Sequence, residues 1–248
     1  MFLRLLKWLW HGIAIIDLML FSILMYPLAY LPAPLTRRFY HRWFRYWCKL
    51  FVHALDIDLR LHEHFDKPLP DTFILIANHP SIFEDIGIPA LFDTYPVAKE
   101  AVKHWPVGGH IAQAAGTLFV RRDSEESRKA VSDEIARTLS NGKSIAIFPE
   151  GGCKGKRIHA FRWGIFEISL NTGVPIVPVF LHYEAQDAFA WGDEQTAPQK
   201  IWQLLNLPNN RANYHVFDPL YPQDFKDKAS YCEHAHQMYL HWQEKYLD

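Results

Sequence analysis

The residues best equipped for chemistry in this 248-residue chain are crowded into Asn78-His79-Pro80-Ser81-Ile82-Phe83-Glu84-Asp85. Histidine titrates near neutrality, and a carboxylate bonded to one ring nitrogen fixes the tautomer, so that the other nitrogen accepts a proton from a hydroxyl. The apolar run Phe73–Ala77 predicts a strand that ends in Asn-His-Pro, with both acids within two helical turns of His79. An imidazole and an acid therefore fall where a strand gives way to a helix. Taken alone, the same residues also describe a capped polar turn, and residues further along the chain decide between the two.

Three later clusters close predicted strands in the same way. Gly116-Thr-Leu-Phe119-Val-Arg121-Arg122 places two guanidinium groups directly after an apolar run, and Phe148-Pro149-Glu150-Gly151-Gly152 ends another in a carboxylate and a flexible turn, with Lys154, Lys156 and Arg157 behind it. Val174-Pro175-Ile-Val-Pro178-Val179 reads as a stiff strand whose prolines suit a sheet edge or a strand end. A base, cations and glycine-exposed backbone at successive strand ends suit a hydroxyl nucleophile and an anionic partner.

The elements that must position these groups follow from the apolar patterning. Strands are expected at Ile57–Leu61, Phe73–Ala77, Val97–Lys99, Thr117–Val120, Ser144–Phe148, Pro175–Phe180 and Tyr214–Phe217, and helices at Ser124–Leu139 and Lys228–Tyr246. Short apolar strands alternating with helices predict an α/β fold, a mixed but mostly parallel sheet flanked by helices. Residues 56–248 form this domain, with a polar, Trp-containing insertion at about 185–213 expected to be irregular.

Residues 1–55 have a different character, that of a membrane-associated helical hairpin. Trp8–Leu31 is nearly all apolar and long enough to cross a bilayer, although His11 and Asp17 interrupt it. A charged Asp near the centre of a spanning helix costs about 2.5–3.5 kcal/mol, so this anchor dips into one leaflet or spans with Asp17 neutralised or paired. Pro32-Ala33-Pro34 and a basic stretch follow it in place of a small-residue cleavage site. Thr36–Val52 then pairs aromatics every four residues and fills the other positions with Arg, His and Lys, the pattern of an interfacial helix meeting lipid phosphates, or of a core helix with a solvated basic face.

Composition narrows the function classes. A net charge of −1 gives no global basic field for nucleic acid. The three cysteines, Cys48, Cys153 and Cys232, are far apart and odd in number, which argues against a disulfide framework. Cys153 beside lysines is either a reactive thiol or a small loop residue. His62-Glu63-His64 and Cys232-Glu-His234-Ala-His236 lack a second ligand cluster at a zinc spacing, so no metal is expected. Serine-hydrolase, P-loop and dinucleotide fingerprints are missing.

Asn78-His79 with an acid a few residues on, Gly-x-x-Phe-Val-x-Arg at 116–122, Phe-Pro-Glu-Gly at 148–151 and Val-Pro-Ile-Val-Pro-Val at 174–179 resemble, in order and approximate spacing, the four blocks of the glycerolipid acyltransferase family, best known from lysophosphatidate acyltransferase. The resemblance covers roughly residues 70–182. It implies acyl transfer from acyl-CoA or acyl-carrier protein to the hydroxyl of a lysolipid, at the cytoplasmic face of a membrane, with no metal or other cofactor. His79 becomes the base, oriented by Glu84 or Asp85. Asn78, Gly116, Phe119, Arg121, Arg122, Glu150, Gly151 and Lys154 become the residues that shape the acceptor pocket.

Two departures from the family pattern bear on this. The slot five residues after His79, usually Asp, holds Glu84, with Asp85 one place later; the continuation Asp85-Ile86 matches the family's acid-plus-apolar pair and favours Asp85 as the orienting group. After Phe-Pro-Glu-Gly the family commonly continues Thr-Arg-Ser, whereas this chain reads Gly152-Cys153-Lys154. A guanidinium suits phosphate better than an ammonium does. Its loss opens an amino-acid-linked lysolipid as an alternative acceptor to lysophosphatidate, with Lys154, Lys156 and Arg157 as substitute cations.

Overall fold

The described residues of the computed structural model are 2–121, 123–153, 155–190, 196–207 and 209–247, and the side chains at 2–8, 33, 34, 37, 38 and 197 lie outside the description. Two long helices come first, α1 (Phe2–Leu28) and α2 (Ala33–Ala54). The remainder alternates strand and helix: β1 (Asp58–His64), β2 (Ile74–Ala77), α3 (Glu84–Leu91), β3 (Thr94–Lys99), α4 (Glu100–Lys103), α5 (Gly108–Ala114), β4 (Leu118–Val120), α6 (Glu125–Ser140), β5 (Ser144–Ile147), α7 (Gly164–Thr172), β6 (Ile176–Tyr183), α8 (Gln186–Phe189), α9 (Ala197–Leu205), β7 (Arg211–Phe217) and α10 (Lys228–Tyr246).

The strands form one seven-stranded sheet in the order β1-β7-β6-β2-β5-β3-β4. From β6 to β4 all neighbours are parallel, while β7 runs antiparallel to β6 and parallel to β1. The strand period of two divides the interior into two cores. Leu75 and Ala77 of β2 and Val177, Val179 and Leu181 of β6 face the layer that includes α2 and α3, whereas Ile74, Ile76, Ile176 and Phe180 face Ile135 of α6, Phe166 of α7 and Tyr239 of α10. The parallel register brings the carboxyl ends of β2, β5, β3 and β4 to one edge of the sheet, where side chains can converge on a ligand.

β6 is a central strand, lying between β2 and β7, and not the edge its prolines allow; Pro175 does sit at the strand end, but Pro178 lies inside it. Pro178 pairs with Ile76 and has no N–H to give to the ladder. The hydroxyl of Tyr239 makes good the deficit from α10: it donates to Ile76 O at 2.8 Å and accepts from Val179 N at 3.0 Å. A phenol thus occupies the gap, and a proline is tolerated where backbone pairing is otherwise obligatory.

α2 also differs from expectation. Tyr40, Phe44, Trp47 and Cys48, the aromatic face that suggested lipid headgroups, are 0–6% exposed and packed in the core. Its stripe is wide because it serves two neighbours. Trp47 Nε1 donates to Ser22 Oγ of α1 at 2.8 Å and Tyr40 donates to Met25 O at 2.9 Å, while Arg45 reaches Pro89 O of α3. The apolar surface left over belongs to α1, where Leu9, Trp10, Ile13, Ile16, Leu20, Ile23 and Leu24 are exposed. Leu9–Leu28 is long and apolar enough to cross a membrane, with a mean hydropathy of 1.8.

The insertion is more ordered than a polar, Pro-punctuated stretch suggests, since α8 and α9 lie within it. Lys200 ties them together: fully buried, its ammonium donates to Ala188 O, Ala190 O and Gln203 Oε1 at 2.6–3.1 Å. Three acceptors satisfy the three protons of a buried cation that would otherwise be costly.

Candidate active site

The site begins where β2 runs out. Its four residues are fully buried, and Asn78 extends the ladder with its side chain, donating from Nδ2 to Leu181 O at 3.0 Å and accepting from Leu181 N at 2.7 Å. Pro80 then prevents the strand from continuing. His79 is caught at this break. Its backbone N–H donates to Glu150 Oε1 at 3.0 Å, and its ring stacks on Phe148 at 3.9 Å between centroids, with 8° between the planes.

Glu84 is the acid that orients the imidazole, its Oε2 lying 2.8 Å from His79 Nδ1. The preference for Asp85 is corrected by helix phase. Glu84 opens α3, and side chains on a helix lean toward its N-terminus, here back toward His79. Asp85 is rotated by about 100° and borders an apolar groove instead. Glu84 is 0% exposed and also accepts from Ser81 N at 2.9 Å and from the Tyr183 hydroxyl. Burial pushes its carboxyl well above the ordinary range, and the bonds from Tyr183 and Ser81 pull it back. With two other donors aimed at the carboxylate, the charged form places the shared proton on Nδ1 and leaves the lone pair on Nε2.

Nε2 faces Cys153, whose Sγ is 3.2 Å away and also 3.0 Å from Ser81 O. Gly151 and Gly152, at φ of 77° and 154°, turn the chain after Glu150 so that residue 153 returns over the imidazole. A side chain at Gly151 would also meet Arg162, its Cβ only 2.7 Å from Nε. The positive φ favours glycine there, and a Cβ would have to push aside the exposed Arg162 side chain.

The other predicted site residues fall into groups. Glu150 is 2% exposed and turned inward, taking His79 N–H on one oxygen and His159 N–H at 3.0 Å on the other. Its place is that of a clamp under the base and not the wall of an acceptor pocket. Arg121 lies on the same sheet edge but on the outermost strand, paired with Glu100 at 3.3 Å. It stands three strands from β2, about 14 Å at the usual inter-strand spacing. Phe119 is half-buried within β4. Gly116 precedes β4 and therefore sits at the opposite edge of the sheet, against Tyr95 with φ of 93°; the strand itself separates it from the arginine of its own motif. Arg122 and Lys154 lie outside the described residues.

Sequence reasoning did not assign Ser81, Phe148, His159, Arg162 and Tyr183 to the site. Tyr183 is 99 residues from Glu84, and no local spacing reveals such a contact. Two cavities are lined by neighbours of the pair, though by neither His79 nor Glu84. One, of about 490 Å³, is almost wholly apolar and runs among Leu18 and Met19 of α1, Phe44 and Trp47 of α2, and Ile82 and Phe83 of the turn after His79. The other, of about 480 Å³, is lined by groups of both signs: Lys156, Arg157, Glu184 and Asp187, together with Tyr183. Among the described residues no set of three or more His, Cys, Asp or Glu side chains has metal-holding geometry. His62 and His64 are engaged instead with Asn213 Oδ1 and His215 Nδ1, each at 2.9 Å.

The fold and the site define an α/β enzyme with a histidine–carboxylate pair at a sheet edge, beside an apolar groove. The family model described as Acyltransferase matches residues 60–182, and the chain belongs to the glycerolipid acyltransferase family and is an acyltransferase. It is 28% identical over 200 residues to the lyso-ornithine lipid O-acyltransferase of Pseudomonas aeruginosa, covering 78% of this chain and 75% of that one. It is 29% identical over 162 residues to the 1-acyl-sn-glycerol-3-phosphate acyltransferase of Neisseria gonorrhoeae, covering 62% of each. The crystal structure of the 1-acyl-sn-glycerophosphate acyltransferase from Thermotoga maritima shares the fold at a TM-score of 0.63 and 18% identity, over 98% of this chain and 95% of that one.

Proposed function

We propose that the protein transfers an acyl group from an acyl thioester, acyl-CoA or acyl-carrier protein, to the hydroxyl of a lysolipid at a membrane surface, with His79 as the general base. The observation that carries the reading is the Glu84–His79 pair, which leaves Nε2 as the proton acceptor at the sheet edge. The acceptor hydroxyl gives its proton to Nε2 as its oxygen attacks the thioester carbonyl; the imidazolium is stabilised by buried Glu84 and returns the proton to the departing thiolate. The apolar groove takes the acyl chain. The exposed apolar face of α1 enters the cytoplasmic leaflet, so that lipid substrates reach the groove from the bilayer.

For the acceptor we favour an amino-acid-linked lysolipid. Cys153 stands at Nε2 in the place where the family pattern puts an arginine, and the charged cavity nearby holds ion pairs, Lys156 with Asp187 at 2.7 Å and Glu184 with Arg211 at 2.6 Å, whose exchange with the charges of a zwitterionic head group suits it better than a phosphate dianion. Lyso-ornithine lipid and lysophosphatidate, each supplied with acyl-CoA or acyl-carrier protein, test this by release of the free donor thiol. The expected result is release at least tenfold faster with lyso-ornithine lipid. Faster release with lysophosphatidate overturns the choice of acceptor, and release independent of any lysolipid overturns the transfer itself.

A further inference from the structure

The cations around the site differ in what they already hold. Lys156 is paired with Asp187 at 2.7 Å, Arg121 with Glu100 at 3.3 Å and Arg211 with Glu184 at 2.6 Å. Arg162 is exposed, and its guanidinium has no hydrogen-bond or ion-pair partner among the described residues. It has a defined place all the same. Its backbone N–H donates to Pro149 O at 2.9 Å, and its side chain lies on Gly151, with Nε 2.7 Å, Cζ 3.1 Å and Cδ 3.2 Å from the point a Cβ would occupy. Gly151 directly follows Glu150, the clamp on the His79 backbone, and stands two residues before Cys153, which touches Nε2. One glycine turn thus carries both the residue at the base and an uncommitted guanidinium.

We propose that Arg162 determines acceptor specificity, its guanidinium binding the carboxylate of the amino-acid head group while His79 takes the proton of the acceptor hydroxyl. The assignment rests on the acceptor reading above and names the group that carries it out. A guanidinium is permanently charged and meets a carboxylate with two parallel N–H donors. Exchange into the ion pairs of the charged cavity breaks one pair for each one made, whereas a carboxylate that reaches Arg162 gains a partner and breaks none. The carboxylate therefore settles on Arg162, and the head-group ammonium is left to the acids of the cavity, Glu184 and Asp187. A single guanidinium also matches the one charge of a carboxylate better than the charge of about −1.5 to −2 on a phosphate monoester. Because residue 151 has no Cβ, the arginine lies against the turn and is held there before the ligand arrives. The positive charge missing at Cys153 is returned at another point of the same turn, from the loop that leads into α7.

Steady-state release of the donor thiol tests this, with the full-length protein in detergent and palmitoyl-CoA or palmitoyl-acyl-carrier protein, whichever supports the faster transfer. The acceptors are lyso-ornithine lipid, its carboxyl methyl ester and lysophosphatidate. For the wild type, the KM of the free acid is expected to lie about ten- to a hundredfold below that of the ester, the usual worth of a hydrogen bond to a charged group. Arg162→Gln should raise the KM of the free acid by that factor, leave its kcat within a few-fold, and treat acid and ester alike. Arg162→Lys keeps the charge but not the fork, and should recover only part of the loss. The melting temperature and the KM of the donor should not move in either variant. Equal KM values for acid and ester in the wild type overturn the assignment without depending on any variant, and so does an Arg162→Gln protein that still tells them apart. A KM that rises for the donor instead puts the guanidinium on the donor, and one that rises only for lysophosphatidate puts it on a phosphate. Either result overturns the assignment and leaves acyl transfer standing. If the wild type acylates none of the acceptors, the function itself falls, and the assignment with it.

Discussion

Glu84 is held by burial on one side and by three hydrogen bonds on the other, and this balance sets when His79 can act as a base. The carboxylate must be ionised for the proton to sit on Nδ1, so activity is lost as pH falls through the carboxyl's value in the folded protein. The Tyr183 hydroxyl lowers that value. Tyr183→Phe therefore raises it further, and the acid limb of the kcat profile should move to higher pH; an unmoved limb would show that Tyr183 only fills space. Glu84→Gln presents an amide to Nδ1 and favours the wrong tautomer, with an expected loss in kcat of about 10²–10⁴. Asp85→Asn should stay within a few-fold of wild type. Equal activities in a steady-state comparison would contradict the dyad. The pairing of His79 with an acid was legible in the sequence, but the choice between the acids was not, because one residue of helix phase decides it. Cys153 was marked by its lysine neighbours, but its contact with His79, 74 residues away, and that of Tyr183 with Glu84, 99 residues away, were hidden by distance along the chain.

At the level of elements, the central strands β2, β5 and β6 were readable because each is an apolar run, and β2, β5 and β7 fall within a residue or a few of expectation. The prolines of β6 misled because the group that answers them, Tyr239, comes from α10. Removing its hydroxyl should uncover that deficit. Tyr239→Phe is expected to lower stability by about 1–3 kcal/mol, the usual result of stranding buried backbone groups, and chemical denaturation measures it. A loss under about 0.5 kcal/mol, below the usual worth of one hydrogen bond, would mean that the strand ends accommodate Pro178 unaided. α2 was misread because aromatic and basic alternation describes a lipid interface and a core helix equally well, and only α3 and the sheet resolve it.

On the scale of the whole molecule, the antiparallel end of the sheet carries a buried histidine cluster whose titration bears on stability. On β7, behind the charged cavity that Tyr246 also lines, His215 is stacked against His62 at 4.6 Å and Tyr246 at 4.2 Å. Burial, together with His62, His64, His182 and Lys245 around it, lowers its pKa to about 3. It folds neutral, so its contribution is complete above the unfolded value of about 6.5 and is lost as pH falls from there toward 3. Melting curves should show the wild type losing stability over this range and His215→Phe losing less of it; parallel pH profiles would contradict the assignment. The membrane face is a separate matter of α1. Leu20→Glu with Leu24→Glu should sharply reduce flotation with phospholipid vesicles and leave the melting temperature within a few degrees. Unchanged flotation would remove α1 as the anchor.

The central claim is that His79 drives transfer of an acyl group onto a lysolipid hydroxyl, and product mass spectrometry tests it most directly. Wild type and His79→Ala, matched for circular dichroism and melting temperature, are given palmitoyl-CoA and lyso-ornithine lipid or lysophosphatidate. The account predicts a two-chain lipid from the wild type and a yield at least a thousandfold lower from the variant. Free fatty acid as the wild-type product, or a two-chain lipid formed equally well by His79→Ala, would contradict it.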